Sequence, residues 1–204
     1  MEVVAILDMS GSMGSLTNDT IQGFNSYIAE LKKVEGKKIS VTFITFSDSS
    51  SVVWNHRDIS ECSIIGTDEY HPGGGTALTD AIGNAIENMK SHIASAEVKP
   101  GKVSFFITTD GEENSSSQFT QQSVKQMIVA QTKQQGWDFI FAGANIDAFA
   151  AGNNYGILQD NCAQISNNGK AQSAIYSAVA KRAKMEECEM KACNFQDAYE
   201  KEMM

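Results

Sequence analysis

The sequence is poor in most of the features that assign a function quickly. No stretch approaches the ~20 apolar residues that a membrane helix needs. The apolar run Val3–Leu7 has neither a basic flank nor a cleavage site, so it does not read as a signal peptide. Two prolines and 16 glycines in 204 residues exclude a collagen-like or low-complexity chain. The four cysteines, Cys62, Cys162, Cys188 and Cys193, are spaced irregularly and match neither a disulfide framework nor a paired CxxC zinc site. Such thiols predict a reducing, cytoplasmic setting. Positive charge is scarce too: 16 Lys and Arg stand against 25 Asp and Glu, for a formal charge of −9. That balance repels phosphate backbones and anionic lipid, and predicts neither nucleic acid nor membrane as a partner. It suits cations, although acidity also serves plain solubility. The Walker, GxGxxG and GxSxG motifs are absent. His56, His71 and His92 are scattered and read as structural or solvated; His71 lies just before a glycine turn.

What is present is material for a core, since 42% of the residues are hydrophobic. Val3–Leu7, Ile39–Phe46, Val103–Thr108 and Trp137–Ala144 are apolar runs of the kind that form strands buried on both faces. Apolar residues at helical spacing predict helices over 16–31, closed by Gly36, and over 76–95, 118–135 and 169 to about 190. A short helix over 147–153 and a short strand over 162–165 complete the alternation. Only Ser47–Ser50 separates the second strand from Val52–Trp54, too short for a parallel crossover, so those two strands must pair antiparallel. The order predicts an α/β sandwich with helices on both faces of one sheet. One domain over 1–184 is expected, with 185–204 a helical or frayed tail.

Three short segments carry oxygen donors to one edge of that sheet. Asp8-Met9-Ser10-Gly11-Ser12 follows the first buried strand directly, where ligands of parallel sheets bind. Gly73-Gly74-Gly75-Thr76 precedes a helix, with Thr76 placed as its cap. Thr108-Thr109-Asp110-Gly111 ends a later buried strand. Hydroxyls and one or two carboxylates, completed by water, are the donors that octahedral magnesium takes. Each segment alone has a bland explanation as an N-cap cluster, a turn or a strand exit. Their joint occurrence on one sheet edge predicts a metal site.

This pattern resembles the metal-ion-dependent adhesion site (MIDAS) of von Willebrand factor type A domains, over residues from about 1 to 166. The segment 136–147 also looks like the fifth strand of bacterial members of that family. The resemblance implies a Rossmann-like three-layer sandwich with a mostly parallel six-stranded sheet and one antiparallel edge strand. It implies that Ser10 and Ser12 bind a cation directly, Thr76 directly in an open state, and Asp8 and Asp110 mostly through water. The cation is expected to be Mg2+, with Mn2+ or Ca2+ as alternatives, and its partner an Asp or Glu side chain of another protein. Direct contact from Asp110 would quench the ion's demand for that partner. The rival function is a metal-dependent phosphoesterase or phosphotransferase using the same crevice. It lacks an obvious general base, and position 10 is Ser where a second acid would be wanted. The acidic and hydroxyl segment Glu112–Ser117 is expected to be a solvated loop on the rim.

Overall fold

Apolar runs without polar interruption have only one stable home, the middle of a sheet covered on both faces. The computed structural model describes residues 1–185, 189–190 and 192–204, and the runs lie there as expected. Strands β1 (Glu2–Asp8), β2 (Ser40–Phe46), β3 (Ser50–Asp58), β4 (Val103–Thr109), β5 (Asp138–Gly143) and β6 (Cys162–Gln164) form one sheet in the order β3-β2-β1-β4-β5-β6. All neighbours pair parallel except β2 and β3, which pair antiparallel at the edge. The β3 strand is longer than Val52–Trp54, and its pairing with β2 is interrupted by register shifts on either side of Phe43.

The period-2 alternation of the strands divides the core between the two faces. Val3, Ala5 and Leu7 of β1 point to one face, together with Phe106 and Ile140. Helix α1 (Thr17–Lys32) covers them through Phe24, Tyr27, Ile28 and Leu31, beside α5 (Gly169–Lys184). Val4 and Ile6 point to the other face, with Ile44, Phe105, Ile107 and Phe139. That side is covered by α2 (Leu78–Ser95), α3 (Gln121–Gln135) and the short α4 (Ala148–Asn154). Helix α1 crosses over to β2, while α2 leads to β4 on the far side of β1. The connections therefore diverge at the carboxyl ends of β1 and β4, the switch point where open α/β sheets leave a crevice.

Several expected boundaries move. A 3-10 turn, Gly11–Leu16, separates the Asp8–Ser12 segment from α1. Helix α1 stops at Lys32, and Gly36, at φ 73°, turns the chain four residues later. Helix α3 starts at Gln121 behind a Thr120 and Ser123 capping box. Helix α5 ends at Lys184 instead of reaching Met190, because Met185 takes an extended conformation. The thiol of Cys188 lies outside the described residues. Beyond it, α6 (Phe195–Met203) begins at an Asn194 cap and returns to the core, with Phe195 fully buried and Tyr199 nearly so.

A buried ion pair fastens the end of α5, against which this tail packs, to the sheet. Arg182 of α5 donates from Nε and Nη2 to the two carboxylate oxygens of Asp138, at 3.0 and 2.9 Å. Its Nη2 also donates to Asn161 Oδ1 at 2.7 Å, and its guanidinium lies 6.0 Å from the ring centre of Phe195. The pair is bidentate and almost fully desolvated, so removing one partner leaves the other's charge uncompensated in the interior. Arg182→Ala is expected to lower stability by about 3–5 kcal/mol, measured by urea unfolding. A loss below about 1 kcal/mol would show that the pair is not needed to hold α5 and α6 on the sheet.

Candidate metal centre

Strand ends decide what this crevice contains. Parallel pairing sets Leu7 opposite Thr108, so the residues leaving β1 and β4 emerge side by side. Asp8 is fully buried there and Asp110 nearly so. Carboxylates in such a place need donors. Asp8 has them: Ser10 N donates to Oδ1 at 2.7 Å and Thr109 Oγ1 to Oδ2 at 2.5 Å. Burial pushes its carboxyl above the usual range, against these hydrogen bonds, and the nearby Asp110 adds to the rise. Asp110 is less well served. Ser12 Oγ donates to its Oδ1 at 2.5 Å, while Oδ2 is buried without any hydrogen-bond partner. Ser10 Oγ lies 3.0 Å from Ser12 Oγ, which joins both serines to Asp110 in one chain of oxygens.

Thr76 completes the group from a third element. A Cβ on Gly111 would stand 3.4 Å from Thr76 Oγ1 and 3.9 Å from Ser12 Oγ, so both hydroxyls border Gly111. The expected helix cap is corrected here. Helix α2 begins at Leu78 with Ala77 in the capping position, leaving the Thr76 hydroxyl free of a capping role. Asp8, Ser10, Ser12, Thr76 and Asp110 are thus gathered at one crevice. Hard oxygen donors with one buried carboxylate oxygen lacking a donor form a set that fits a divalent cation such as Mg2+.

The glycine turn is held by main-chain contacts to its neighbours. Gly73 N donates to Met9 O at 2.9 Å and Gly11 N to Gly74 O at 3.1 Å. Asp48, in the β2–β3 turn, accepts from Gly75 N at 2.7 Å. Gly74 stands at φ 78°, and a Cβ there would meet Asp48 Oδ2 at 2.4 Å. A side chain at this position is excluded twice, by conformation and by space.

The segment Glu112–Ser117 lies exposed or half-buried, as expected of a rim, but several of its polar groups are bound within the fold. Glu113 accepts from Thr79 N at 2.6 Å, in the first turn of α2, and from Ser115 N and Ser116 N. Asn114 exchanges bonds with Thr76, accepting from Thr76 N at 2.8 Å and donating its own N–H to Thr76 O at 3.0 Å. Asp80 reaches from α2 into the loop and accepts from the amides of Ser117, Gln118 and Phe119. These contacts fix where Thr76 sits relative to Asp110. Asp48, Asp80, Glu113 and Asn114 are the positioning residues that the sequence did not disclose. Tyr70 is another, donating to Asp8 O at 2.5 Å from the loop before the glycines.

The family model of the von Willebrand factor type A domain matches residues 2–155. No curated protein matches the chain by sequence. Among solved structures it resembles proximal thread matrix protein 1 from the mussel byssus with a zinc-occupied MIDAS motif, at 15% identity and a TM-score of 0.60, over 89% of this chain and 45% of that one. It also resembles the pilus adhesin SpaC from Lactobacillus rhamnosus GG in its open conformation, at 14% identity and TM-score 0.68, over 89% and 29%. The vWF domain of the type V pili tip protein Mfa5 from Porphyromonas gingivalis is similar at 11% identity and TM-score 0.65, over 89% and 94%. At these identities the likeness concerns the fold. The chain spans less than half the length of the first structures it matches.

Burial works against the charge of Asp80, but the amides of Ser117, Phe119 and Gln118 outweigh it and hold the carboxyl below its usual range. A carboxylate depressed on folding contributes stability above its unfolded value, near ~3.9, and loses it as pH falls through the folded value. Asp80→Asn is therefore expected to cost about 1–3 kcal/mol at neutral pH. The gap to the wild type should close as the pH drops below ~4, read from unfolding curves across that range. An effect that does not change with pH would contradict an ionised Asp80 as the acceptor of those amides.

Proposed function

The chain belongs to the von Willebrand factor type A domain family, and on that basis we propose that it is a metal-dependent protein-binding module. A divalent cation is held by Ser10 and Ser12 directly, by Thr76 in a binding-competent state, and by Asp8 and Asp110 mostly through water. Mg2+ is the proposed ion, with Mn2+ or Ca2+ as alternatives. What the ion supplies is an electrophilic position that takes an Asp or Glu side chain from a partner protein. One captured carboxylate covers little area, so affinity and choice of partner depend on the surrounding loops. The overall charge of −9 leaves the cation as the attractive point for such a group.

The observation that carries this reading is Asp110 Oδ2, a buried oxygen with no donor, beside two serine hydroxyls already within hydrogen-bond distance of each other. A cation or a water bound to it would end that deficit. The rival phosphoesterase or phosphotransferase needs a free carboxylate as nucleophile or base. Asp8 is poorly suited, because both its oxygens already accept hydrogen bonds within the fold. A non-enzymatic role, without nucleic acid or membrane partners, follows from the same reading. No helix among the described residues is long and apolar enough to cross a membrane. A reducing, cytoplasmic setting is proposed on the thiols: Cys62, Cys162 and Cys193 are free, and burial pushes Cys162 up to about 12.

A ligand that binds only the folded state adds about 2.7 kcal/mol at a hundredfold excess over its Kd. For a chain of this size that is a rise of about 5–10 °C in Tm. Millimolar Mg2+ is expected to raise the Tm of the wild type and leave Ser12→Ala and Asp110→Ala unmoved; an equal melting temperature with and without Mg2+ would sink the metal site. Capture of a protein partner should fail in chelator, return with Mg2+ or Mn2+, and be absent from Ser12→Ala. Turnover of generic phosphate esters that is lost in Asp8→Asn would instead support the rival.

A further inference from the structure

The opposite edge of the sheet holds a separate group of side chains of the metal-ligating types. Glu2 opens β1, and its carboxylate is buried with the side chain only 8% exposed, an uncommon place for a charge. Two histidines from other elements face it. His56 comes from edge strand β3 at the irregularity opposite Thr42, with φ 47°, a left-handed conformation that is costly for a residue with a side chain. Bulges of this kind re-aim side chains. Here the ring is turned onto the central strand, with His56 Nδ1 3.1 Å from Glu2 Oε2. His92 comes from the last turns of α2, with Nε2 3.8 Å from Glu2 Oε1. Each carboxylate oxygen therefore faces one imidazole, and a ligand atom from each of the three residues lies within 4.8 Å of the others.

We propose that Glu2, His56 and His92 form a second cation site, of the zinc class, at the amino-terminal edge of the sheet. Two imidazoles and a carboxylate are donors suited to Zn2+ and its first-row neighbours, unlike the all-oxygen set at the other edge. Ligands about 2.0–2.1 Å from a tetrahedral Zn2+ stand roughly 3.3 Å apart. The two nitrogen–oxygen separations, 3.1 and 3.8 Å, bracket that value. The imidazole rings stack with their centres 3.6 Å apart and a 10° tilt. Binding requires the stacked rings to splay, and His92 has the room, since its side chain is 35% exposed on the helix surface. His56 Nε2 is buried without a partner, so this ring is not held by a complete set of hydrogen bonds. All three residues line a cavity of about 860 Å3, whose wall also includes Lys37, Lys38, Lys99 and Lys102. A tetrahedral ion held by three protein ligands would turn its fourth position to this cavity, open to water or a small anion.

The test titrates Zn2+ into the whole chain by calorimetry, with millimolar Mg2+ present and in the Ser12→Ala background, so that the first site does not contribute. One equivalent of Zn2+ is expected to bind. His92→Ala, whose exposed position leaves the fold intact, should weaken that binding at least tenfold, and His56→Ala likewise. Co2+ substitution should give the intense visible absorption of a tetrahedral site, and His92→Ala should remove it. Absence of Zn2+ binding in Ser12→Ala, or binding unchanged by His92→Ala, would overturn the proposal.

Discussion

Two carboxylates with little access to water, Asp8 and Asp110, set the terms for one whole edge of this protein. They are brought together by parallel pairing of β1 with β4, which no side chain can avoid once the apolar runs have formed the sheet. Burial makes the charge of Asp8 costly and pushes its carboxyl above the usual range, and the nearby Asp110 adds to that rise. The chain answers with hydroxyls and amides from Ser10, Ser12 and Thr109. Those donors satisfy Asp8 on both oxygens but Asp110 on only one. The residual demand is one that the proposed divalent cation would meet.

The loops are held by an outer layer of acceptors. Asp48 fixes the glycine turn, Asn114 fixes Thr76, and Glu113 and Asp80 tie the loop after β4 to the start of α2. Glu113 also places negative charge at a helix N-terminus, where the unpaired amides and the helix dipole favour it. Acidic residues that look like solubilising charge in composition thus act as structural acceptors at this edge.

The fold was largely readable from the sequence because it depends on local patterns. Buried strands showed as apolar runs, and the antiparallel edge followed from the shortness of Ser47–Ser50. The five candidate ligands could be picked out because each lies in a short segment attached to a strand end or just before a helix. The positioning layer did not show. Asp48 and Gly75 are 27 residues apart, Asp80 and Phe119 are 39 apart, and nothing local marks either pair. Thr76 reads as a cap because a hydroxyl before a helix usually is one; the side chain and amide of Asn114 hold it one residue too early. The tail was ambiguous for a similar reason, since Arg182 reads as one polar residue in an apolar stripe until Asp138 is brought beneath it. His56 and His92 read as unrelated in sequence because only an irregular strand with a left-handed residue turns the first toward the second.

The central claim is that the Asp8, Ser10, Ser12, Thr76 and Asp110 crevice holds a divalent cation. Crystals grown with Mn2+ and measured at the manganese absorption edge test it most directly. The account predicts an anomalous peak within coordination distance of Ser10 Oγ and Ser12 Oγ, with Asp8 and Asp110 reached through ordered water. Ordered serine and aspartate side chains with no anomalous peak between them, in crystals that carry Mn2+ at millimolar concentration, would contradict it.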